Sequence, residues 1–280
     1  MKKNILLLLL VLSPLLLFAK QEVIDQAYLK CSYAYTYEQD TLAHQMPRRE
    51  DLLYLLIGQK VSKCYSYYTY QSDSLMMSAN GDKDFDNLIQ NAIQRGLKGA
   101  ALRNAIPHKR MTTVVYKNEP EGKMTVMDFL MSQYYTYEDD LNAQDWNIED
   151  STKMVLGHEC QKATCDFRGR RWTAWFATDV PVSDGPWKLC GLPGLIMEAY
   201  DKGCQQHFLI NGLQKVSDVP IEFGILDKNA KKPQAISRKE FNKSLIHYLR
   251  HQNSINEAAT GISLGSGDTK LHRDLLERDY

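Results

Sequence analysis

Gly185-Pro186-Trp187-Lys188-Leu189-Cys190-Gly191-Leu192-Pro193-Gly194-Leu195-Ile196-Met197-Glu198-Ala199-Tyr200 is the stretch on which the reading of this chain turns. Proline fixes φ and glycine reaches the positive φ that tight turns require, so Gly191, Leu192, Pro193 and Gly194 predict a sharp turn. Gly191 or Gly194, or both, are expected to hold backbone angles closed to other residues. Leu195 and Ile196 open a short apolar run that predicts entry into a buried strand beside residues 170–178. The hexapeptide Gly191–Ile196 holds no nucleophile, acid, base or metal ligand and reads as a structural turn. An exposed recognition loop is the competing reading.

Working outward, the chain reads mainly as strands. Cys31, Tyr33, Tyr35 and Tyr37 alternate with Ser32, Ala34, Thr36 and Glu38, the period of two that marks a strand. Residues 51–59 and 61–71 predict the next two strands, the second rich in tyrosine. Residues 112–116, 124–130 and 133–137 predict a strand and a hairpin. Residues 154–167 and 170–178 flank Arg168-Gly169 as a tight turn, and 195–200 pairs with 204–211 around Asp201-Lys202-Gly203. One segment has helical spacing: Phe85, Leu88, Ile89, Ala92, Ile93 and Leu97 predict a helix over about 84–104, capped by Asp82 or Asp84. Ser237 and Glu240 form a capping box for a C-terminal helix. Leu271, Leu275 and Leu276 predict a short last one. The fold class expected is a curved antiparallel sheet or open half-barrel meander, one β-rich domain over 20–280 with a helical tail from about 237.

The first 19 residues have the order of a secretory signal: Lys2 and Lys3, an apolar stretch to Phe18 interrupted by Pro14, and Ala19 at the cleavage point. The mature chain is expected to be exported to the periplasm or cell envelope of a Gram-negative bacterium, with no membrane-spanning segment. Removing Lys2 and Lys3 from 34 basic residues leaves 32 against 34 acidic ones. That balance provides no general attraction to nucleic acid or to an anionic membrane. Six cysteines in an exported chain predict disulfides, with Cys31–Cys64, Cys160–Cys190 and Cys165–Cys204 as the pairs. Strand parity puts Cys160 and Cys165 on opposite faces and excludes a bridge between them.

The residues around the hexapeptide resemble the GLPGLI family, exported proteins of Gram-negative bacteria named for it. The resemblance rests on Gly157–Thr164, Phe167–Arg170, Thr173–Phe176, Pro181-Val182, Gly185-Pro186-Trp187 and Asp201, in order and spacing. It covers about residues 110–216. It implies export and brings no established activity. Family members often continue past the last helix, whereas this chain stops at Arg278-Asp279-Tyr280.

Several constellations bear on chemistry. His247 and His251 are four apart on the C-terminal helix, but no glutamate follows His247 and both read as solvated, so no metal is assigned. His158 and Cys160 share one side of a strand, and a thiol-dependent enzyme or hydrolase using that neighbourhood is the alternative function. No nucleophile elbow, phosphate loop or dinucleotide fingerprint is present, so neither a cofactor nor a catalytic set is assigned. Trp172, Trp175, Trp187, Tyr33 and Tyr35 either line a ligand cavity or fill the core. The leading function is a non-enzymatic envelope module that binds an apolar ligand or an envelope protein.

Overall fold

The computed structural model describes residues 21–38, 48–227, 231–261 and 274–280. The expected signal peptide and Leu271 lie outside the described residues. The chain opens with strands β1 (Glu22–Tyr37), β2 (Arg49–Gly58) and β3 (Ser62–Ser66), then helices α1 (Tyr67–Met77), α2 (Gly81–Gln94) and α3 (Gly99–Ala105). Strands β4 (Val114–Lys117), β5 (Lys123–Leu130), β6 (Gln133–Asp140), β7 (Asn147–Val155), β8 (His158–Phe167) and β9 (Arg170–Ala177) follow. Beyond a long loop come β10 (Leu195–Asp201), β11 (Gln206–Phe223), β12 (Gln234–Ala235), α4 (Arg238–Arg250) and α5 (Gln252–Thr260).

All twelve strands join one open sheet in the order β12-β6-β5-β4-β3-β2-β1-β11-β10-β9-β8-β7. Every pairing is antiparallel except the short β12–β6 contact, so the sheet is mixed and the fold mainly β. Three two-residue turns drive the meander, at Met131-Ser132, Leu156-Gly157 and Arg168-Gly169. In each, both residues have positive φ, which matches the twist of antiparallel strands.

The alternation of β1 sets the two faces. Cys31, Tyr33 and Tyr35 are buried with Leu53, Leu55, Val115, Trp172, Phe176 and Phe208 in the main core. The loop over 178–194, α4 and residues 274–280 cover that face: Trp187, Leu189, Leu192, Phe241 and Leu276 all pack into it. On the opposite face Ala27, Leu56, Val61 and Ile221 form one small cluster, and Tyr116, Met127 and Ile225 another. Helix α1 docks on that side through Tyr67 against Tyr54 and Tyr70 against Tyr65.

Four expectations need correction. The tyrosine run is not all strand: Ser66 ends β3 and caps α1, its side chain accepting from the Thr69 N–H. Local capping outweighs the β preference of tyrosine there. The expected helix over 84–104 is two helices broken at Gly96, whose φ is +71°. Asn80 is the N-cap, and Asp82 and Asp84 lie in the first turn. Residues 274–280 are not helical; ion pairs of Arg170 with Asp274, of Lys188 with Glu277 and of Arg238 with Glu277 and Asp279 hold them in place.

The disulfides are the fourth correction, for all six cysteines are free. Cys31, Leu55 and Cys64 form one row across β1, β2 and β3, so Leu55 stands between the two cysteines. Two strand spacings come to about 9.5 Å, beyond the ~7 Å that a disulfide spans. Likewise Trp172 of β9 stands between Cys165 and Asp201 of β10, before the turn that carries Cys204. Cys160 and Cys190 have separate partners, the carbonyls of His158 and Leu141.

Candidate functional site

The signature loop is a plug. Gly191 has φ +91°, which glycine alone adopts without strain. Gly194 is needed for another reason: a Cβ there would stand 2.1 Å from the carbonyl oxygen of Ala177. That contact lets β10 close on β9, Leu195 opposite Ala177. Leu192, Leu195 and Ile196 are buried while Pro193 is exposed. Asp184 to Cys190 are buried as well, unusual for a loop, whose backbone must then find partners inside the protein.

Lys117, Gln144 and Trp146 supply donors to the loop carbonyls of Gly185, Leu189, Lys188 and Cys190, and the Lys188 side chain anchors the loop to the sheet and the C-terminal segment. Lys188 is fully buried and donates to Tyr137 Oη (3.2 Å), Asp139 Oδ2 (2.9 Å) and Glu277. Lys117 of β4 donates to Asp184 and to the carbonyls of Gly185 and Leu189. Arg170 holds Asp201 and Asp274, and Arg238 holds Glu277 and Asp279. The C-terminal segment is thereby tied to the plug and to the sheet. A cleft of about 380 Å³ beside Gly191 is lined by Lys117 and Asp184, which already satisfy each other.

Tyr33, Tyr35, Trp172 and Trp187 belong to the core beneath this plug. Trp187 packs between Phe167 and Trp172, and Tyr35 stacks on Phe208. Tyr33 Oη donates to the Ile196 carbonyl (2.8 Å) and so ties the hexapeptide to β1. Trp175 is half-buried, with Lys153 over its ring. None of the five lines that cleft or the cavity on the opposite face of the sheet.

His158 and Cys160 are neighbours without a thiol–imidazole bond. The Cys160 thiol donates to the His158 backbone carbonyl, and the ring Nδ1 faces Asp179 at 2.8 Å. Burial pushes that thiol up to about 11, so it keeps its proton. The rings of His247 on α4 and His251 at its C-cap lie 4.7 Å apart, tilted by 47°, and among the described residues no group of three metal-ligating side chains gathers.

The opposite face holds a different arrangement, one the sequence reading did not single out. Between β3, α1, residues 109–112 and residues 224–226 lies a cavity of about 60 Å³, open to solvent at one end. Its walls are mostly apolar and aromatic: Tyr65, Tyr70, Met111, Met127, Phe129 and Tyr134. Buried hydrogen bonds fix the wall. Asp51 accepts from Ser66 Oγ (2.9 Å) and the Met111 N–H (3.0 Å), and Thr69 bonds both Met111 O and Arg110 N. Asp128 accepts from Thr112 and Thr113. Burial raises both carboxyls above the usual range, with these bonds opposing it.

Lys63 enters the cavity from β3 and is 7 % exposed. Its amine donates to the Glu222 carbonyl (2.8 Å) and stands 5.3 Å from the ring centres of Tyr65 and Tyr116. Among the described residues no carboxylate forms an ion pair with it. Burial therefore pulls the amine down to about 8, only partly opposed by the Glu222 charge. Lys109 and Asp73 pair at 2.7 Å and also line the cavity. The available signal was a lysine on the tyrosine side of a strand whose other side is Ser62, Cys64 and Ser66.

The chain is thus a mainly β protein on an open twelve-stranded sheet, with a plugged core face and a lysine-bearing pocket behind it. Residues 168–198, from the β8–β9 turn through the plug into β10, match the family described as "Protein of unknown function (Porph_ging)". No curated protein matches the chain. Two solved structures are similar, "Structure of PNGF-II in P21 space group" and "Structure of PNGF-II in C2 space group". Each is 12 % identical with a TM-score of 0.49 and covers 80 % of this chain. The chain spans about a third of their length, 34 % and 33 %. Among the described residues no helix is long and apolar enough to cross a membrane.

Proposed function

We propose that this is an exported, non-enzymatic protein of the Gram-negative cell envelope, with a signal peptide over residues 1–19 and one domain thereafter. In this reading it belongs with the GLPGLI proteins and binds an apolar ligand or an envelope partner through the Lys63 pocket. One observation carries the reading: Lys63 is a buried amine with no carboxylate ion pair among the described residues, in a cavity with aromatic walls. A buried charge without a partner is costly, and such groups concentrate at sites that use them. Apolar walls with a few polar groups are the usual make-up of a small-molecule site.

The test is affinity purification of the tagged mature protein from its own envelope, with bound small molecules and proteins identified by mass spectrometry. Wild type is compared with Lys63→Met and with Tyr70→Ala at the mouth. A species retained by wild type and lost from both variants is expected. Identical profiles from all three proteins would remove the pocket from the function.

A further inference from the structure

Three buried lysines divide into two kinds. Lys117 and Lys188 each touch a carboxylate and are saturated by further acceptors. The Lys63 amine has a single backbone carbonyl, that of Glu222. The Tyr116 hydroxyl donates to the same carbonyl at 3.1 Å, so that oxygen is shared, and among the described residues the amine keeps N–H groups free of acceptors. Burial among apolar side chains, with no ion pair to a carboxylate among the described residues, favours the neutral amine, the form with a nucleophilic lone pair. Its unusually low proton affinity agrees with this placement.

We infer that Lys63 captures a small aliphatic aldehyde covalently, its amine condensing with the carbonyl carbon to form a reversible imine. The inference rests on the Lys63 pocket being a ligand site. The nitrogen lone pair attacks the carbonyl carbon, a C–N bond forms, and the C=O π pair moves to oxygen. Both amine protons leave with that oxygen as water, and a C=N bond remains. No oxidant or reductant enters, and hydrolysis by water reverses the step.

Size and walls define the ligand class. A cavity of about 60 Å³ admits a few non-hydrogen atoms, since one water occupies roughly 30 Å³ of liquid. Met111, Met127, Phe129 and Tyr134 suit a short alkyl chain whose far end points to the mouth at Tyr70. Ligand carboxylates are the other chemistry an unpartnered ammonium invites, and they form no covalent bond. The test separates the two.

The full mature protein is incubated at neutral pH with butanal and limiting cyanoborohydride, which reduces the imine to a stable secondary amine. Peptide mapping then gives a rate for each lysine. Lys63 is expected to label about tenfold or more faster than exposed Lys60, Lys202 and Lys231, because far more of its amine is neutral. Butan-1-ol, which fills the pocket without reacting, is expected to slow Lys63 alone. Lys63→Arg keeps the charge and removes the nucleophile, and its melting temperature is recorded to show that it folds. Labelling of Lys63 at or below the exposed rate overturns the imine. If butan-1-ol or butanoate still shows saturation transfer from pocket protons in that case, the pocket stands as a noncovalent site. If neither binds, the pocket reading falls as well.

Discussion

The two faces of the sheet treat buried charge in opposite ways. On the plugged face Lys188 meets Asp139 and Glu277, Lys117 meets Asp184, and Arg170 meets Asp201 and Asp274. On the pocket face Lys63 has a carbonyl and two aromatic rings. Complete pairing has the character of architecture, because each ion repays part of its desolvation and fixes one arrangement of loop and tail. An unpaired ion keeps its desolvation cost and leaves a group available to something else. The family match falls on residues 168–198, within the architecture. A shared signature can therefore mark how the core is closed and leave the ligand to the other face.

The largest expected effect is on the plug. Gly194→Val would drive a branched side chain into the Ala177 carbonyl, already 2.1 Å from an ideal Cβ. The β9–β10 pairing must open, and the loss should reach about 4 kcal/mol or more, enough to unfold a domain of ordinary stability. Urea titration by tryptophan fluorescence measures it. A variant that melts within a few degrees of wild type would show the plug to be a tolerant surface loop.

Next in size is Lys188→Met, which leaves Asp139 and Glu277 with less positive charge in a buried site. Breaking a buried pair from one side costs about 3 kcal/mol. Lys63→Met breaks no ion pair, so at neutral pH its stability should equal or exceed that of wild type. Equal destabilisation by the two substitutions would erase the contrast between the faces.

The pH dependence sharpens the same contrast. Lys63 in the folded protein loses its proton near 8, the unfolded chain near 10.5. Between those values the unfolded state binds more protons, so stability rises with pH. At 1.36 kcal/mol per unit the gain is at most about 3 kcal/mol. Tyr65, Tyr116 and Glu222 face the amine, and Asp73 and Lys109 also line the cavity. Burial holds both phenols above their ordinary value, which works against stability as pH passes 10. The wild-type-minus-Lys63→Met difference isolates the lysine. A flat difference from pH 7 to 10.5 would show that Lys63 is not desolvated as the structure has it.

Much of the plugged face was legible in the sequence, and little of the pocket was. The alternation of β1, the Arg168-Gly169 turn and the Ser237–Glu240 capping box are local signals, set by residues two to four apart. Gly194 was legible as a special glycine, but its reason, the nearness of Ala177, comes from a strand 17 residues earlier. The turn at Leu156-Gly157 was hidden because Leu156 is an unusual residue for positive φ, so 154–167 read as one strand. Ser66 stopped β3 through a cap that a run of tyrosines obscured. The pocket needed segments near residues 63, 70, 110, 129 and 225 to meet, and no periodicity records such a meeting.

The smallest expected effect is no effect. An even number of cysteines, read with the proposed export, suggests crosslinks, yet all six are free. Cys31, Cys64, Cys160, Cys165 and Cys190 lie in the main core, where burial holds the thiols protonated, Cys64 near 11 and Cys165 and Cys190 near 12. The plugged face then owes its stability to packing, hydrogen bonds and ion pairs, with no crosslink. Reductant should leave the melting temperature unchanged. Thiol titration without reductant should count six groups after unfolding and one fast group, Cys204, in the native protein. Four groups after unfolding would mean that one disulfide joins the ion pairs in holding the protein together. Mapping it by non-reducing peptide digestion would tell whether the crosslink sits on the plugged face.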